Sequence, residues 1–190
     1  MVFGLGNPGA RYVGTRHNVG FRVVDALADR LGVAFKKKLF HSYSLGKGTH
    51  EGRSLYLVKP LTFMNTSGRA VREALRETGG SVSEMLVVCD SLDLSPGSLR
   101  FRLKGSSGGQ KGLQSIIQSL GPEEFMRLSI GIGRPNYRGQ VIAHVLGAPR
   151  REEEEHIGEA VEKAAGAVLV LLTEGPARVM NETNKREPPS

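Results

Sequence analysis

The residues of this 190-residue chain best suited to chemistry lie in three short polar clusters. The first runs from Tyr12 to Phe21 and reads Y-V-G-T-R-H-N-V-G-F, with His17 at its centre. Just upstream, the glycine-rich turn Gly4-Leu5-Gly6-Asn7-Pro8-Gly9 supplies Asn7. The other two clusters are Phe63-Met64-Asn65 and Cys89-Asp90. Taken alone, His17 reads as a loop histidine capping the following helix. An imidazole, two carboxamides and a carboxylate carried on separate loops are instead the components of a site built at the end of a sheet. The rest of the chain offers few rivals. It has no G-x-S-x-G elbow for a serine nucleophile. Cys89 lies in an apolar run where a thiol is usually inert, and no lysine is marked out as a nucleophile. His41, His50, His144 and His156 are scattered without metal-ligand spacing. A single cysteine excludes a Cys-based zinc site and an intramolecular disulfide. His17 is therefore read as a general base acting on water, with Asp90 fixing its tautomer and stabilising its charged form. Asn7 and Asn65 are read as neutral groups that position a substrate or stabilise an oxyanion. Such a site suits an activated ester and is underpowered for an unactivated amide or a phosphodiester.

Met1 to Leu5 forms an apolar strand opening into the glycine turn. That turn matches G-x-G-x-x-G formally, but Ala10 to His17 is not helix-like and Asp25 falls inside a helical pattern, so the dinucleotide reading is rejected. Apolar residues at Phe21, Val24, Ala28 and Leu31, with Val23 and Leu27 beside them, predict a helix over 21–31 closed by Gly32. Val33 to Leu45, with Lys36-Lys37-Lys38, reads as a charge-guarded edge strand. A strand over 54–59 leads through 61–68 into a helix over 69–77, for which Ser67 is the expected N-cap, and Gly79-Gly80 end it. Met85 to Asp90 is the most strand-like segment, its unbroken apolar run suiting a central, doubly buried strand. A turn at 92–97, a basic strand over 99–103 and a flexible glycine loop over 105–112 follow. Next come a helix over 113–120, a strand over 125–133 and an irregular covering segment over 136–147. A long helix over 150–172 carries an acidic N-terminal run and an apolar face of Ile157, Val161, Ala164, Ala165, Val168 and Leu172. This order predicts a single-domain three-layer α/β/α fold with a mixed twisted β-sheet over residues 1–184, and a disordered tail over 185–190. Three ends of the sheet then bring the polar clusters to one rim.

Composition narrows the partners. With 26 basic and 19 acidic residues the chain carries +7, as expected of a protein that meets nucleic acid or another polyanion. No apolar run is long enough to span a membrane, and no secretory signal is visible at the N-terminus, so a cytoplasmic protein is expected.

Six segments carry a resemblance. They are G-L-G-N-P-G (4–9), Y-x-x-T-R-H-N-x-G-F (12–21), K-P-L-T-F-M-N-x-S-G (59–68), D-x-L-D-L-x-P-G (90–97), G-S-S-G-G-x-x-G (105–112) and R-L-x-I-G-I-G (127–133). In this order and spacing the chain resembles the bacterial-type peptidyl-tRNA hydrolases over essentially its whole length. The resemblance implies cleavage of the ester between a peptide and the 3′-terminal ribose of tRNA, without metal or cofactor. It implies His17 as catalytic base, Asp90 as the carboxylate holding it, and Asn7 and Asn65 as the amides near the scissile ester. It also implies Tyr12 and Met64 as pocket residues, and Arg102 in place of a lysine that clamps the tRNA 5′ phosphate. The chain departs from the family pattern at three places. Gln110-Lys111 stands where many members have His-Asn, which leaves Gln110 as a hydrogen-bonding group at the substrate and directs Lys111 toward the tRNA backbone. Cys89 replaces a histidine. Ser129 replaces an arginine of the phosphate clamp, leaving Arg127, Lys104 or Arg134 to substitute. Two other readings compete with a monomeric enzyme acting on the tRNA acceptor stem and 3′ end. One is a non-catalytic RNA-binding relative, of the kind found among organelle splicing proteins, and the other is a generic carboxylesterase.

Overall fold

A computed structural model describes residues 1–37, 39–121 and 124–184; the expected tail over 185–190 lies outside the described residues. In chain order the strands are β1 (Val2–Gly4), β2 (Lys36–Lys37), β3 (Tyr43–His50), β4 (Arg53–Pro60), β5 (Leu86–Ser91), β6 (Leu99–Arg102) and β7 (Met126–Gly131). The helices are α1 (Val19–Leu31), α2 (Ser67–Thr78), α3 (Lys111–Leu120), α4 (Val141–Leu146), α5 (Arg151–Glu174) and α6 (Pro176–Thr183). The strands form one sheet in the order β2-β3-β4-β1-β5-β7-β6. Its centre, β4-β1-β5-β7, is parallel, while β2, β3 and β6 run antiparallel to their neighbours. The apolar run Leu86 to Cys89 is buried throughout, as a strand with neighbours on both sides and helices on both faces requires. Leu86 and Val88 pack with α1, α5 and α6, whereas Val87 and Cys89 pack with α2 and α3. The three layers and mixed sheet expected from the order of elements are thus present.

Two glycines set where α1 begins. A Cβ on Gly20 would overlap Leu5 N and Val88 O, and one on Gly4 would overlap Gly20 O. The first turn of α1 therefore lies directly on the ends of β1 and β5, closer than any side chain allows. His17, in the 3-10 turn Arg16–Asn18 just before α1, is held over the end of β5 by that contact. Asp90 follows Leu86 and Val88 in the strand alternation and so points to the same face.

Several local expectations change. The segment 33–45 is not one edge strand. Among the described residues only Lys36–Lys37 pair with Ser44 and Leu45, and β3 runs on to His50 in a long hairpin with β4. The hairpin turns at Glu51 and Gly52, both with positive φ (48° and 75°), as a two-residue primed turn requires. Ser67 does not cap α2 but lies within it, its hydroxyl donating to Met64 O at 2.9 Å, so the helix starts earlier than expected. The covering segment over 136–147 contains α4 and a preceding 3-10 turn. Beyond α5, which keeps its expected apolar face, α6 packs beside the sheet edge. There the Asn184 carboxamide accepts from Phe101 N (2.8 Å) and donates to Phe101 O (2.9 Å), satisfying main-chain groups on the outer side of β6.

The segment holding His17 is also fixed from outside. Arg16 N donates to Gly147 O at 3.1 Å. The buried Arg16 guanidinium donates to His144 O (3.1 Å), Gly147 O (3.3 Å) and Glu153 Oε2 (2.6 Å). Glu153 also accepts from Arg150 N at 2.8 Å, its carboxylate satisfying the main-chain N–H of the residue that precedes α5. Burial opposes ionisation of Glu153, but the Arg150 N–H and the Arg16 and Arg150 guanidinium groups outweigh it and hold its carboxyl at about 2. A depressed carboxyl contributes stability that is present above its ordinary value of 4.5 and is lost as pH falls through about 2. Glu153→Gln should therefore lower the unfolding free energy at neutral pH by on the order of 2 kcal/mol. It should also flatten the fall in stability from about pH 5 to about pH 2, as followed by urea titrations across that range.

Candidate active site

His17 Nδ1 lies 2.8 Å from Asp90 Oδ1, and both residues are buried. An ionised aspartate can only accept, so Nδ1 carries the proton and Nε2 presents its lone pair. Cys89, the neighbour of Asp90, takes no part. Burial first, and then the adjacent Asp90 charge, pushes its thiol up to about 12.

Asn7 is buried and held at three points. Its main-chain N–H donates to Asn18 Oδ1 (2.8 Å), its carbonyl accepts from Asn18 Nδ2 (3.0 Å), and its own Oδ1 accepts from Met64 N (2.8 Å). The last contact decides the orientation of the carboxamide, because only an oxygen can accept that N–H. The NH2 end of Asn7 is therefore the one turned away from Met64 N, and Asn7 itself does not line the cleft that holds His17 and Asp90. The same bond brings the loop after β4 against the loop after β1, so that Asn7 joins Asn18, next to His17, to Met64. Asn65 is exposed next to buried Met64. Tyr12 and Phe63 meet edge to face with centroids 6.4 Å apart, and the Arg11 guanidinium lies 4.6 Å from the Tyr12 ring. Asn18 was not among the residues expected to serve the site. Its neighbour His17 drew attention, but nothing local signals a carboxamide that clasps another loop.

From the dyad a cleft of about 210 Å³ opens between the glycine loop over 105–110, α4 and the ends of β5, β6 and β7. Gln110 enters from the loop. Its Nε2 donates to Asp90 Oδ1 (2.9 Å) and lies 3.3 Å from Met64 Sδ, while its Oε1 accepts from Leu113 N (2.8 Å) at the start of α3. Lys111 is exposed at the first position of α3. Arg102 is exposed and lines the cleft. Arg127 lines it too but is buried, with Nη1 donating to Ser106 O at 2.6 Å. Burial, and to a lesser degree the Arg102 charge, lower its pKa from the ordinary arginine value. Lys104 and Arg134 are exposed and paired, with Glu124 (2.7 Å) and with Asp93 respectively. Arg100, which no motif singled out, is exposed in the same cleft. It stands directly opposite Ser129, and Arg102 directly opposite Arg127, so all four positions share one face of the β6–β7 pair. Cross-strand register is the signal that finds Arg100.

A second cluster gave no sign in the sequence spacing. His41 Nδ1 lies 3.1 Å from carboxylate oxygens of both Glu73 and Glu77. The same carboxylates take hydrogen bonds from the hydroxyls of Ser42 and Tyr43, tying the start of β3 to α2. None of these residues lines the cleft beside His17.

The sequence matches the family model described as peptidyl-tRNA hydrolase over residues 1–190. A peptidyl-tRNA hydrolase of Halalkalibacterium halodurans is 44% identical over 184 residues, covering 97% of this chain and 99% of that one. A peptidyl-tRNA hydrolase of Aquifex aeolicus is 43% identical over 189 residues, covering 98% and 97%. The crystal structure of peptidyl-tRNA hydrolase from Acinetobacter baumannii superposes with a TM-score of 0.91 at 36% identity, covering 99% of this chain and 95% of that chain. With a fold, a whole-chain sequence match and a set of converging polar loops in agreement, the chain belongs to the peptidyl-tRNA hydrolase family.

Proposed function

We propose that this protein hydrolyses the ester between a peptide and the 3′-terminal ribose of tRNA, with His17 as general base. The observation that carries the reading is the buried His17–Asp90 hydrogen bond, which leaves Nε2 as the basic nitrogen at the cleft. Nε2 takes a proton from a water molecule, whose oxygen attacks the ester carbonyl carbon. Asp90 stabilises the imidazolium that results. The oxyanion on the former carbonyl oxygen is a suitable acceptor for the Asn7 NH2. Collapse of the tetrahedral intermediate breaks the bond to the ribose oxygen, which takes the proton back from His17, releasing free tRNA and a peptide acid. No step needs a metal or a cofactor. Asn65, Tyr12, Phe63 and Met64 are assigned to the peptide side of the ester. Arg100, Arg102 and Lys111 are assigned to the tRNA side, with buried Arg127 supporting the glycine loop between them. Lys104 and Arg134, already paired with carboxylates, are weaker partners for a phosphate. Among the described residues no helix is long and apolar enough to cross a membrane. A cytoplasmic monomer acting on peptidyl-tRNA suits the charge and the single buried thiol.

The direct test is release of free tRNA from an N-acetylated aminoacyl-tRNA, set beside the unblocked aminoacyl-tRNA, in the presence of a chelator. Turnover of the blocked substrate alone, unchanged by chelation, is expected; tight tRNA binding without turnover would favour a non-catalytic RNA-binding protein. Arg100→Ala and Arg102→Ala should each weaken tRNA binding and reduce the slope of log affinity against log salt by roughly one. An unchanged slope in either variant removes that arginine from the phosphate contact.

A further inference from the structure

Asp90 Oδ1 accepts two hydrogen bonds, one from His17 Nδ1 at 2.8 Å and one from Gln110 Nε2 at 2.9 Å. The sense of the Gln110 amide is fixed from its other end. Its Oε1 accepts from Leu113 N at 2.8 Å, so the nitrogen has to face Asp90. The second amide hydrogen has Met64 Sδ, a weak acceptor, 3.3 Å away. Space is also closed behind the side chain, because a Cβ on Gly112 would stand 3.0 Å from Gln110 Oε1 and 2.6 Å from Met64 Sδ. The amide is thus occupied on both ends by protein and has little capacity left for substrate.

We infer that Gln110 is a positioning residue that aims Asp90 at His17 and ties that carboxylate to the start of α3, and that it does not bind the substrate. The inference rests on the proposed role of His17 as base. A carboxylate with a single donor can swing about its Cα–Cβ and Cβ–Cγ bonds. With a second donor locked to a helix N-terminus, Oδ1 stays where it accepts the Nδ1 proton. The imidazole is then kept in one tautomer and one orientation, with Nε2 toward the cleft. Met64 belongs to the same assembly, since its main-chain N–H orients Asn7 while its sulfur borders Gln110. One contact set therefore orients both the base and the proposed oxyanion donor.

Two substitutions separate this role from simple helix capping. Gln110→Glu keeps an acceptor for Leu113 N but removes the donor to Asp90, and Gln110→Met removes both. At a pH high enough to ionise the introduced carboxyl, which the adjacent Asp90 charge holds in its protonated form longer than usual, both variants should lose about ten- to a hundredfold in kcat on N-acetylated aminoacyl-tRNA. KM should stay within about twofold, as expected when a positioning contact and not a substrate contact is lost. Gln110→Met should also lose thermal stability with the acceptor for Leu113 N. In 15N spectra of the imidazole, wild-type His17 should report a single Nδ1–H tautomer and Gln110→Glu a mixture. Wild-type kcat and an unmixed tautomer in Gln110→Glu would overturn the inference, as would a KM increase with kcat preserved. Retention of activity by His17→Ala in the same assay would instead overturn the role of the base itself.

Discussion

The arrangement depends on one hydrogen bond between two buried groups, His17 Nδ1 and Asp90 Oδ1. A buried carboxylate is costly unless its charge is met, and a buried imidazole is a useful base only if its tautomer is fixed. Each group answers the requirement of the other. The remaining architecture delivers them within 2.8 Å although they are 73 residues apart in the chain. Asp90 sits where the central strand emerges, and His17 precedes a helix that glycine lets settle on the same strand ends. From outside, Arg16 and Glu153 join the histidine turn to α4 and α5.

On the proposed reading, the loops around this pair divide the substrate. On the β4 side lie groups suited to a peptide, namely the Asn7 amide, the Met64 side chain and the Tyr12–Phe63 pair. On the β6–β7 side lie arginines on a single sheet face, suited to phosphates. The glycine loop runs between the two, with Ser106 held by Arg127 at one end and Gln110 holding Asp90 at the other. Part of the basic composition thus gathers in a local feature, the Arg100, Arg102 and Arg127 guanidinium groups of the cleft that holds the dyad.

Much of this was legible in the sequence, because the relevant signals are local. An apolar run ending in Asp90 announces a central strand with a carboxylate at its tip, and Y-x-x-T-R-H-N-x-G-F places a histidine before a helix. What escaped depends on contacts between distant segments. β3 lacks clean alternation because Gly46 and Gly48 occupy positions where a Cβ would strike the Val33 side chain, so its strand character emerges only once Val33 is in place. Ser67 looks like a helix cap from its neighbours, but a preceding 3-10 turn shifts the helix start and gives its hydroxyl to Met64. Arg100 stands out only when cross-strand register puts it opposite Ser129, and Asn18 only when its carboxamide is seen around the Asn7 backbone. Gln110 could be placed at the site from its motif, but that its amide donates to Asp90 and accepts from Leu113 N is a matter of three-dimensional donors and acceptors.

The central claim, that Asp90 acts through His17, is tested most directly by a kinetic double-mutant cycle. The measurement is kcat/KM on N-acetylated aminoacyl-tRNA for Asp90→Asn, His17→Ala and the two combined. If Asp90 works only by holding and charging His17, the combined variant should be no slower than His17→Ala alone. Losses that simply multiply in the combined variant would contradict this and would give Asp90 a role of its own.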